Sequence, residues 1–166
     1  MGFDLSGVNP QINKPETEYK YYKEDTDIWK TGDEKLRKKY FKEMDEYHEA
    51  NPGVYFRNNV WWWRPLWDFV CMHCNDFMTD EQATGGSYND GKEIDQKTAA
   101  KIGTKLKILL EDGTVDRWEE HIKERNEELK KSKDEDEQFF GSYHFHRNNV
   151  EHFAEFCLQS GGFVIC

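Results

Sequence analysis

Residues 61–77 read WWWRPLWDFVCMHCNDF, the most apolar stretch of the chain. One helix face carries residues at i, i+3, i+4, i+7, i+11 and i+14, and the apolar residues at these spacings are Trp63, Leu66, Trp67, Val70, Cys74 and Phe77. Much of another face is covered by Trp62, Phe69 and Met72. Because a helix that is apolar on most sides is buried, this segment is predicted to be the central helix of the fold. Since proline is tolerated in the first turn of a helix, Pro65 predicts that this helix begins at residues 62–64.

The flanking sequence predicts further helices and some short strands. Apolar residues recur at helical spacing, with capping residues in front of them, over residues 33–50, 96–111, 114–129 and 149–159. Strands are predicted at residues 2–8, 139–145 and 163–166, and a linker at residues 130–138. We therefore expect an α+β fold with four or five helices around the central Trp-rich helix and a small sheet that includes both chain ends.

The aromatic content predicts one folded domain over residues 1–166. A mean hydropathy of −1.01 and 34% charged residues are, taken alone, typical of a disordered chain. The 6 Trp, 8 Tyr and 11 Phe change this expectation, because each buried ring removes a large apolar area from water. A length of 166 residues is enough for a single domain with a sizeable core.

The charge and the cysteines limit the partners and the location. A net charge of −10 argues against a nucleic-acid partner, because binding to phosphate backbones needs basic patches. No membrane attachment is expected, since no stretch approaches the roughly 20 apolar residues of a membrane span. The first residues lack the basic and apolar runs of a signal peptide, and the 4 cysteines have no secretory context. These features predict a cytoplasmic protein.

Three segments carry distinctive motifs. They are GFDLSGVNP at residues 2–10, YFRNNVWWWRPLW at residues 55–67 and GGFVIC at residues 161–166. Together they resemble an uncharacterised family of small proteins from bacteriophage genomes, including marine ones. The resemblance implies a phage protein in the cytoplasm of its host and carries over no catalytic residue. It also implies that residues 11–51 are an insertion that shorter relatives lack. We expect this helical insertion to be peripheral and to pack on the main body through Leu36, Tyr40, Met44 and Tyr47.

Cys71 and Cys74 form a Cys-X-X-Cys pair, which His144 and His146 can complete to a tetrahedral zinc site. The pair falls in the middle of a predicted helix, however. Zinc ribbons hold such a pair on a tight turn, and thioredoxin-type chemistry needs it at a helix N-terminus. We therefore interpret the cysteines as buried structural thiols and expect neither a metal nor a cofactor.

The polar residues around the Trp-rich stretch predict a ligand site. In an acidic chain, Arg57 and Arg64 are a local exception that attracts anions, and a tryptophan ring beside a guanidinium group suits a nucleotide-like ligand. The candidate ligand-binding residues are Arg57, Asn58, Trp62, Arg64, Asp68, Asn89 and Asp90. We expect the two arginines to lie near each other on the main concave surface.

Several of these residues also have a structural interpretation. Arg64 and Asp68 are i, i+4 neighbours, which can form an ion pair at the rim of the core or a polar stripe along a pocket. The arginines can also cap backbone carbonyls at the turn into the helix. Since three consecutive tryptophans cannot all face one core, Trp61 or Trp62 points away from it. That ring either caps a small cluster under residues 11–51 or offers a stacking surface to a ligand or partner.

These features favour a non-enzymatic binding protein of phage origin that holds a small polar or anionic ligand, or part of a host protein. The alternative is an enzyme that acts on a nucleotide-like small molecule with Asp68 or Asp90 as the base. No Ser-His-Asp arrangement, P-loop or dinucleotide-binding motif points to a particular reaction. A deep pocket holding an aspartate beside Arg64 favours the enzyme, and a shallow aromatic surface favours protein binding.

Overall fold

A computed structural model of the chain describes residues 2–166, which form seven α-helices and four β-strands. The helices are α1 (Glu34–Ala50), α2 (Val60–Cys74), α3 (Asp80–Gly85), α4 (Gln96–Glu111), α5 (Thr114–Leu129), α6 (Glu135–Phe140) and α7 (Arg147–Gln159). The strands are β1 (Gly2–Gly7), β2 (Tyr55–Asn59), β3 (Lys92–Ile94) and β4 (Phe163–Ile165). The predicted α+β fold is confirmed; five helices have 13 to 17 residues, and α3 and α6 have six each. Among residues 2–166, no helix is both long enough and apolar enough to cross a membrane.

The four strands form one antiparallel sheet in the order β2-β1-β4-β3, so strands near both chain ends lie side by side. β1 lies inside the sheet, because it pairs with β2 along one edge and with β4 along the other. Successive side chains of a strand point to opposite faces, and accordingly Phe3 and Leu5 are buried whereas Ser6 is exposed. The apolar face packs on α2 and α7.

α2 is the central helix, as predicted, and two of its four tryptophans, Trp63 and Trp67, are fully buried. The Phe3 ring stacks on the Trp63 ring at 5.5 Å between centroids, and the Trp63 ring stacks on the Trp67 ring at 5.3 Å. The indole N–H groups of the two tryptophans donate to Gly86 O at 2.7 Å and to Ala83 O at 2.9 Å. Each buried ring therefore has a partner for its one polar atom, and these bonds hold the end of α3 against α2.

The start of α2 differs from the prediction. The helix begins at Val60 rather than at residues 62–64, so Pro65 lies inside it. A proline in a helix has no N–H to offer to the carbonyl four residues earlier. Here that carbonyl, Trp61 O, accepts a hydrogen bond from His144 N at 2.9 Å. The helix tolerates Pro65 because a segment far along the chain supplies the missing donor.

Residues 19–47 contain a second, smaller core made largely of tyrosine rings. Its buried members are Tyr19, Tyr22, Ile28, Tyr40 and Tyr47, with Leu36, Phe41, Met44 and Val54 packed against them. The apolar stripe of α1 thus packs mainly on the preceding residues of its own segment, and Val54 of the main body also contacts this cluster. The sequence analysis did not foresee the cover from residues 19–28, because that segment shows no periodicity. That residues 11–51 are an insertion stays a prediction.

The chain between α5 and α7 also differs from the prediction. Residues 130–138 and 139–145 were expected to be a linker and a strand, but α6 spans Glu135–Phe140. Asp134 caps this helix, since its side chain accepts from two backbone N–H groups of the first turn. Three acidic residues in that turn also interact favourably with the helix dipole.

Candidate functional site

Helices α2 and α5, together with α6 and the turn after it, enclose an open pocket of about 480 Å³. We call it the α2–α5 pocket. Its lining residues are Arg64, Pro65, Asp68, Trp118, Ile122, Arg125, Leu129, Phe140 and Tyr143. The walls are aromatic rings and aliphatic chains, and the polar groups are two guanidinium groups, one carboxylate and one phenol. An apolar wall with a few polar groups is typical of small-molecule sites.

The position of Tyr143 in this pocket follows from Pro65. Because Pro65 leaves Trp61 O free to accept from His144 N, the preceding Tyr143 is held beside the first turns of α2. A second bond comes from α5, where the buried Asn126 donates from Nδ2 to Tyr143 O. The Tyr143 and Trp61 rings pack at 5.2 Å between centroids. Two helices therefore fix this side of the pocket.

The two arginines of the pocket have neutral hydrogen-bond partners. Arg64 Nη1 donates to Tyr143 Oη at 3.1 Å, and Arg125 Nη2 donates to Asn126 Oδ1 at 3.3 Å. Neither Arg64 nor Arg125 forms an ion pair within residues 2–166, where the arginine ion pairs are made by Arg57 and Arg147. Since a guanidinium group stays charged at any physiological pH, the pocket carries two positive charges that no carboxylate pairs directly.

Asp68 lies one turn after Arg64 on the same wall of the pocket. The two side chains form no direct ion pair within the described residues, and Arg64 bonds to Tyr143 instead. Burial raises the pKa of the Asp68 carboxyl, although the charges of Arg64 and Arg125 act to lower it. The side chain is accessible through the open pocket, yet the surrounding protein removes enough water to disfavour its ionised form. The observed arrangement is the polar stripe along a pocket.

A smaller pocket of about 200 Å³ shares Arg64 and Asp68 with the first one. Its other lining residues are Trp63, Trp67, Ser87 and Tyr88. Gly86 permits the close approach of this loop to α2, since a Cβ at that position would lie 1.9 Å from an atom of the Trp67 ring. The loop after α3 therefore reaches the polar residues of α2.

Arg57 and Asn58 lie elsewhere, so the structure does not bring Arg57 and Arg64 into one pocket. Arg57 Nε lies 3.4 Å from Asp4 Oδ1 on the neighbouring strand β1, and Asn58 Nδ2 donates to Asn149 Oδ1 at 3.1 Å. Arg57 lines a separate cleft of about 490 Å³ against α7 and the end of α1. Closeness in sequence is misleading here, because Arg57 projects from a strand and Arg64 from the second turn of the following helix.

The other three predicted residues do not line the α2–α5 pocket. The Trp62 ring packs on the His144 ring at 5.0 Å between centroids. Asn89 Nδ2 donates to a backbone carbonyl of β1 at 3.2 Å, and Asp90 is exposed. Of the seven predicted residues, the structure brings Arg64 and Asp68 together in this pocket. Whether any of the seven binds a ligand stays a prediction.

Trp61 and Trp62 are both half-buried and lie outside the main core, and Trp61 is the one with an aromatic cluster of its own. It packs on Phe139 and Tyr143, at 5.0 and 5.2 Å between ring centroids. A small cluster around one tryptophan was expected, but its cover comes from residues 139–143 and not from residues 11–51. The sequence does not reveal this pairing, because the two segments meet through the backbone bond to Trp61 O.

The four residues considered for zinc have separate environments. Within residues 2–166, no group of three or more His, Cys, Asp or Glu side chains is arranged to hold a metal ion. Burial raises the pKa of the Cys71 thiol to about 11 and that of Cys74 to about 12, and it is the thiolate that binds metals and reacts. His144 packs on a tryptophan, and His146 Nδ1 accepts from a backbone N–H of α7 at 3.2 Å.

The sequence analysis misses the residues that α5, α6 and the following turn supply to the pocket, among them Trp118, Arg125, Phe140 and Tyr143. α5 is a charged amphipathic helix, so Arg125 looks like one of many surface charges. Pro65 could have indicated that another segment packs on α2, because a proline inside a helical pattern leaves a carbonyl group that needs a donor from elsewhere. The signal does not say which segment supplies that donor.

Comparisons of the chain with known protein families, with curated proteins and with solved structures find no match. The α2–α5 pocket is the candidate functional site. Its distinctive features are the two guanidinium groups without carboxylate partners and the aromatic wall next to them.

Proposed function

We propose that the protein binds a small anion with a flat apolar body in the α2–α5 pocket and does not transform it. The supporting observation is that Arg64 and Arg125, neither of them in an ion pair within residues 2–166, share a pocket with Trp118 and Phe140. Guanidinium groups match carboxylates and phosphates, and aromatic rings pack on flat apolar groups. The volume of about 480 Å³ suits a small molecule.

The distribution of charge supports an anion as the ligand. The whole chain has a net charge of −10 and repels anions at a distance. The pocket, in contrast, holds two guanidinium groups and a single carboxylate, that of Asp68. A cleft with low-dielectric walls focuses the field of such charges. An anion is therefore attracted at this place and needs apolar contacts with the wall to be held.

A host metabolite is the class of ligand that we propose, in the cytoplasm of a phage-infected cell. The support for this setting is the likeness of residues 2–10, 55–67 and 161–166 to bacteriophage proteins. A nucleotide combines a flat base with a phosphate, which matches the ring and guanidinium groups of the pocket. Fractionation of infected cells should recover the protein with the cytoplasmic proteins, and recovery with membranes or virus particles would contradict this setting.

Isothermal titration calorimetry with naphthalene-1-sulfonate tests the binding site, because this probe is flat, apolar and permanently ionised. Arg64→Ala and Arg125→Ala should each weaken its binding at least about tenfold, which corresponds to ~1.4 kcal/mol, since each removes a charged donor. Arg57→Ala is the matched control and should leave binding unchanged, because Arg57 lies in another cleft beside Asp4. The neutral analogue 1-naphthol should bind more weakly than the sulfonate. Equal affinity of all three variants for the probe would exclude this site.

An enzyme with Asp68 as its base is the second candidate. It is favoured by the raised pKa of Asp68 in a pocket that also holds Arg64, because a carboxylate whose pKa moves towards neutrality is a better base. Within residues 2–166, however, Asp68 has no hydrogen-bond partner that would orient it. Incubation with nucleoside mono-, di- and triphosphates, followed by chromatography, separates the candidates. A product that disappears with Asp68→Asn identifies an enzyme, and binding without any product identifies a binding protein.

A further inference from the structure

A groove on α4 combines a row of lysines with an apolar floor. It has a volume of about 400 Å³ and is lined by Phe77, Lys97, Ala100, Lys101, Thr104, Lys105 and Ile108. We call it the lysine groove. The three lysines are four residues apart and so form one row along the helix. None of the three groove lysines forms an ion pair within residues 2–166. On the floor of the groove, the Ile108 side chain is 50% exposed. In a chain of net charge −10, this row is a local excess of positive charge.

Helix α6 has the complementary character. Its first turn carries Glu135, Asp136 and Glu137. None of these three carboxylates forms an ion pair within residues 2–166. At its end, Phe139 and Phe140 are 49% and 55% exposed. Large exposed rings beside unpaired charges mark a surface that is suited to a partner. α6 is therefore an acidic and apolar projection on the same chain that carries the lysine groove.

We propose that α6 of one copy of the chain docks in the lysine groove of a second copy. A helix of six residues is about 9 Å long, and the groove follows α4 from Lys97 to Ile108 over about 16 Å, so the helix fits along it. The acidic turn faces the lysine row, and the apolar floor is covered by the exposed parts of the two phenylalanine rings, which also pack on Trp61 and Tyr143. Because two different patches of the chain meet, the contact either closes into a reciprocal pair or continues head-to-tail to further copies.

The contact is weak and reversible. One short helix covers less than the ~1,000 Å² that a stable interface buries. Two chains of net charge −10 also repel each other, although salt at physiological strength screens this repulsion beyond ~8 Å. Association is therefore expected at high protein concentration. The lysine groove shares no lining residue with the α2–α5 pocket, but Phe140 of the docking helix lines that pocket. The docking is argued from the charges of α4 and α6 and does not rest on the proposed ligand.

Sedimentation velocity of the full chain with reciprocal charge reversals tests the docking. The wild-type average mass should rise with concentration. The groove variant Lys97→Glu/Lys101→Glu and the helix variant Glu135→Lys/Glu137→Lys should each associate at least about tenfold more weakly, because like charges then oppose each other. An equimolar mixture of the two variants should restore association. The acidic groove of the groove variant then meets the basic helix of the helix variant, and the native lysine groove of the helix variant meets the native acidic helix of the groove variant.

The matched control is Lys30→Glu/Lys38→Glu, which changes the net charge by the same amount at residues whose side chains are 84% and 77% exposed. This variant should associate like the wild type. A wild-type chain that stays monomeric at every concentration would overturn the proposal, and so would a mixture that does not restore association. Circular dichroism checks that the variants are folded. Binding of naphthalene-1-sulfonate to the groove variant should be unchanged, so loss of the α2–α5 pocket is distinguished from loss of the docking surface.

Discussion

Gly86 shows how a single methyl group decides whether the loop after α3 can close on α2. A Cβ at this position would lie 1.9 Å from an atom of the Trp67 ring, and that ring is held by its bond to Ala83 O. We expect Gly86→Ala to lower the free energy of unfolding by ~1–3 kcal/mol, the typical cost of overpacking a core. Urea denaturation followed by tryptophan fluorescence measures this change. Gly2→Ala is the control, because its Cβ would meet no atom closer than 3.6 Å; equal midpoints for the two variants would contradict the clash.

Asp68 makes the α2–α5 pocket sensitive to pH. Burial raises its folded-state pKa above the ordinary value of 3.8, so the folded chain holds this proton more tightly than the unfolded chain does. Asp68 therefore lowers the free energy of unfolding as the pH rises from 3.8 through the folded-state pKa. Asp68→Asn should remove this decrease, which thermal denaturation at a series of pH values detects.

The same residue should also change the affinity for an anion. Protonation of Asp68 removes a negative charge from the pocket, so naphthalene-1-sulfonate should bind more tightly as the pH falls towards the folded-state pKa. Asp68→Asn should bind the probe more tightly than the wild type at pH 7 and should lose this pH dependence. Calorimetric titrations over the same pH range provide the measurement. Weaker binding by Asp68→Asn at pH 7 would mean that the carboxylate contributes to holding the ligand.

At the level of elements, Pro65 links α2 to the turn before α7. Alanine at this position supplies an N–H that competes with His144 N for Trp61 O. We expect Pro65→Ala to loosen the segment that carries Tyr143 and to weaken binding of naphthalene-1-sulfonate, while α2 itself remains helical. Hydrogen exchange of the His144 amide, followed by NMR, should become faster. Unchanged exchange at His144 would show that the helix does not reclaim the carbonyl.

Which elements could be predicted depends on where their partners lie in the sequence. α4, α5 and α7 carry apolar stripes within their own residues, so local pattern was sufficient to place these helices, although α7 begins at Arg147 after a His146 cap and α5 has no side-chain cap. The start of α2 could not be placed, because the donor that makes an internal proline tolerable comes from His144. The same distinction applies to the pocket. Arg64 and Asp68 could be recognised because they lie within the Trp-rich stretch, whereas Arg125 and Tyr143 are distant in sequence and reach the pocket through tertiary contacts.

The whole molecule holds two aromatic cores that share no residue, one around α2 and one within residues 19–47. Tyr47→Ala should therefore cost hydrogen-exchange protection in the second core and leave protection in α4 and α7 unchanged. Trp67→Ala should lower the free energy of unfolding of the main core by ~3–5 kcal/mol. Hydrogen exchange with mass spectrometry resolves the two regions. A uniform loss of protection in Tyr47→Ala would show that the cores unfold as one unit.

The place of β4 in the sheet has a consequence for synthesis on the ribosome. β1 and β2 emerge early, but β4, which pairs with the other edge of β1, comes more than 100 residues later. At translation rates of ~5–20 residues per second, that edge stays open for about 5 to 20 s. An open strand edge can pair with a neighbouring nascent chain. Chaperones that cover β1 during this interval should therefore raise the soluble yield of the protein, and slower translation should lower it.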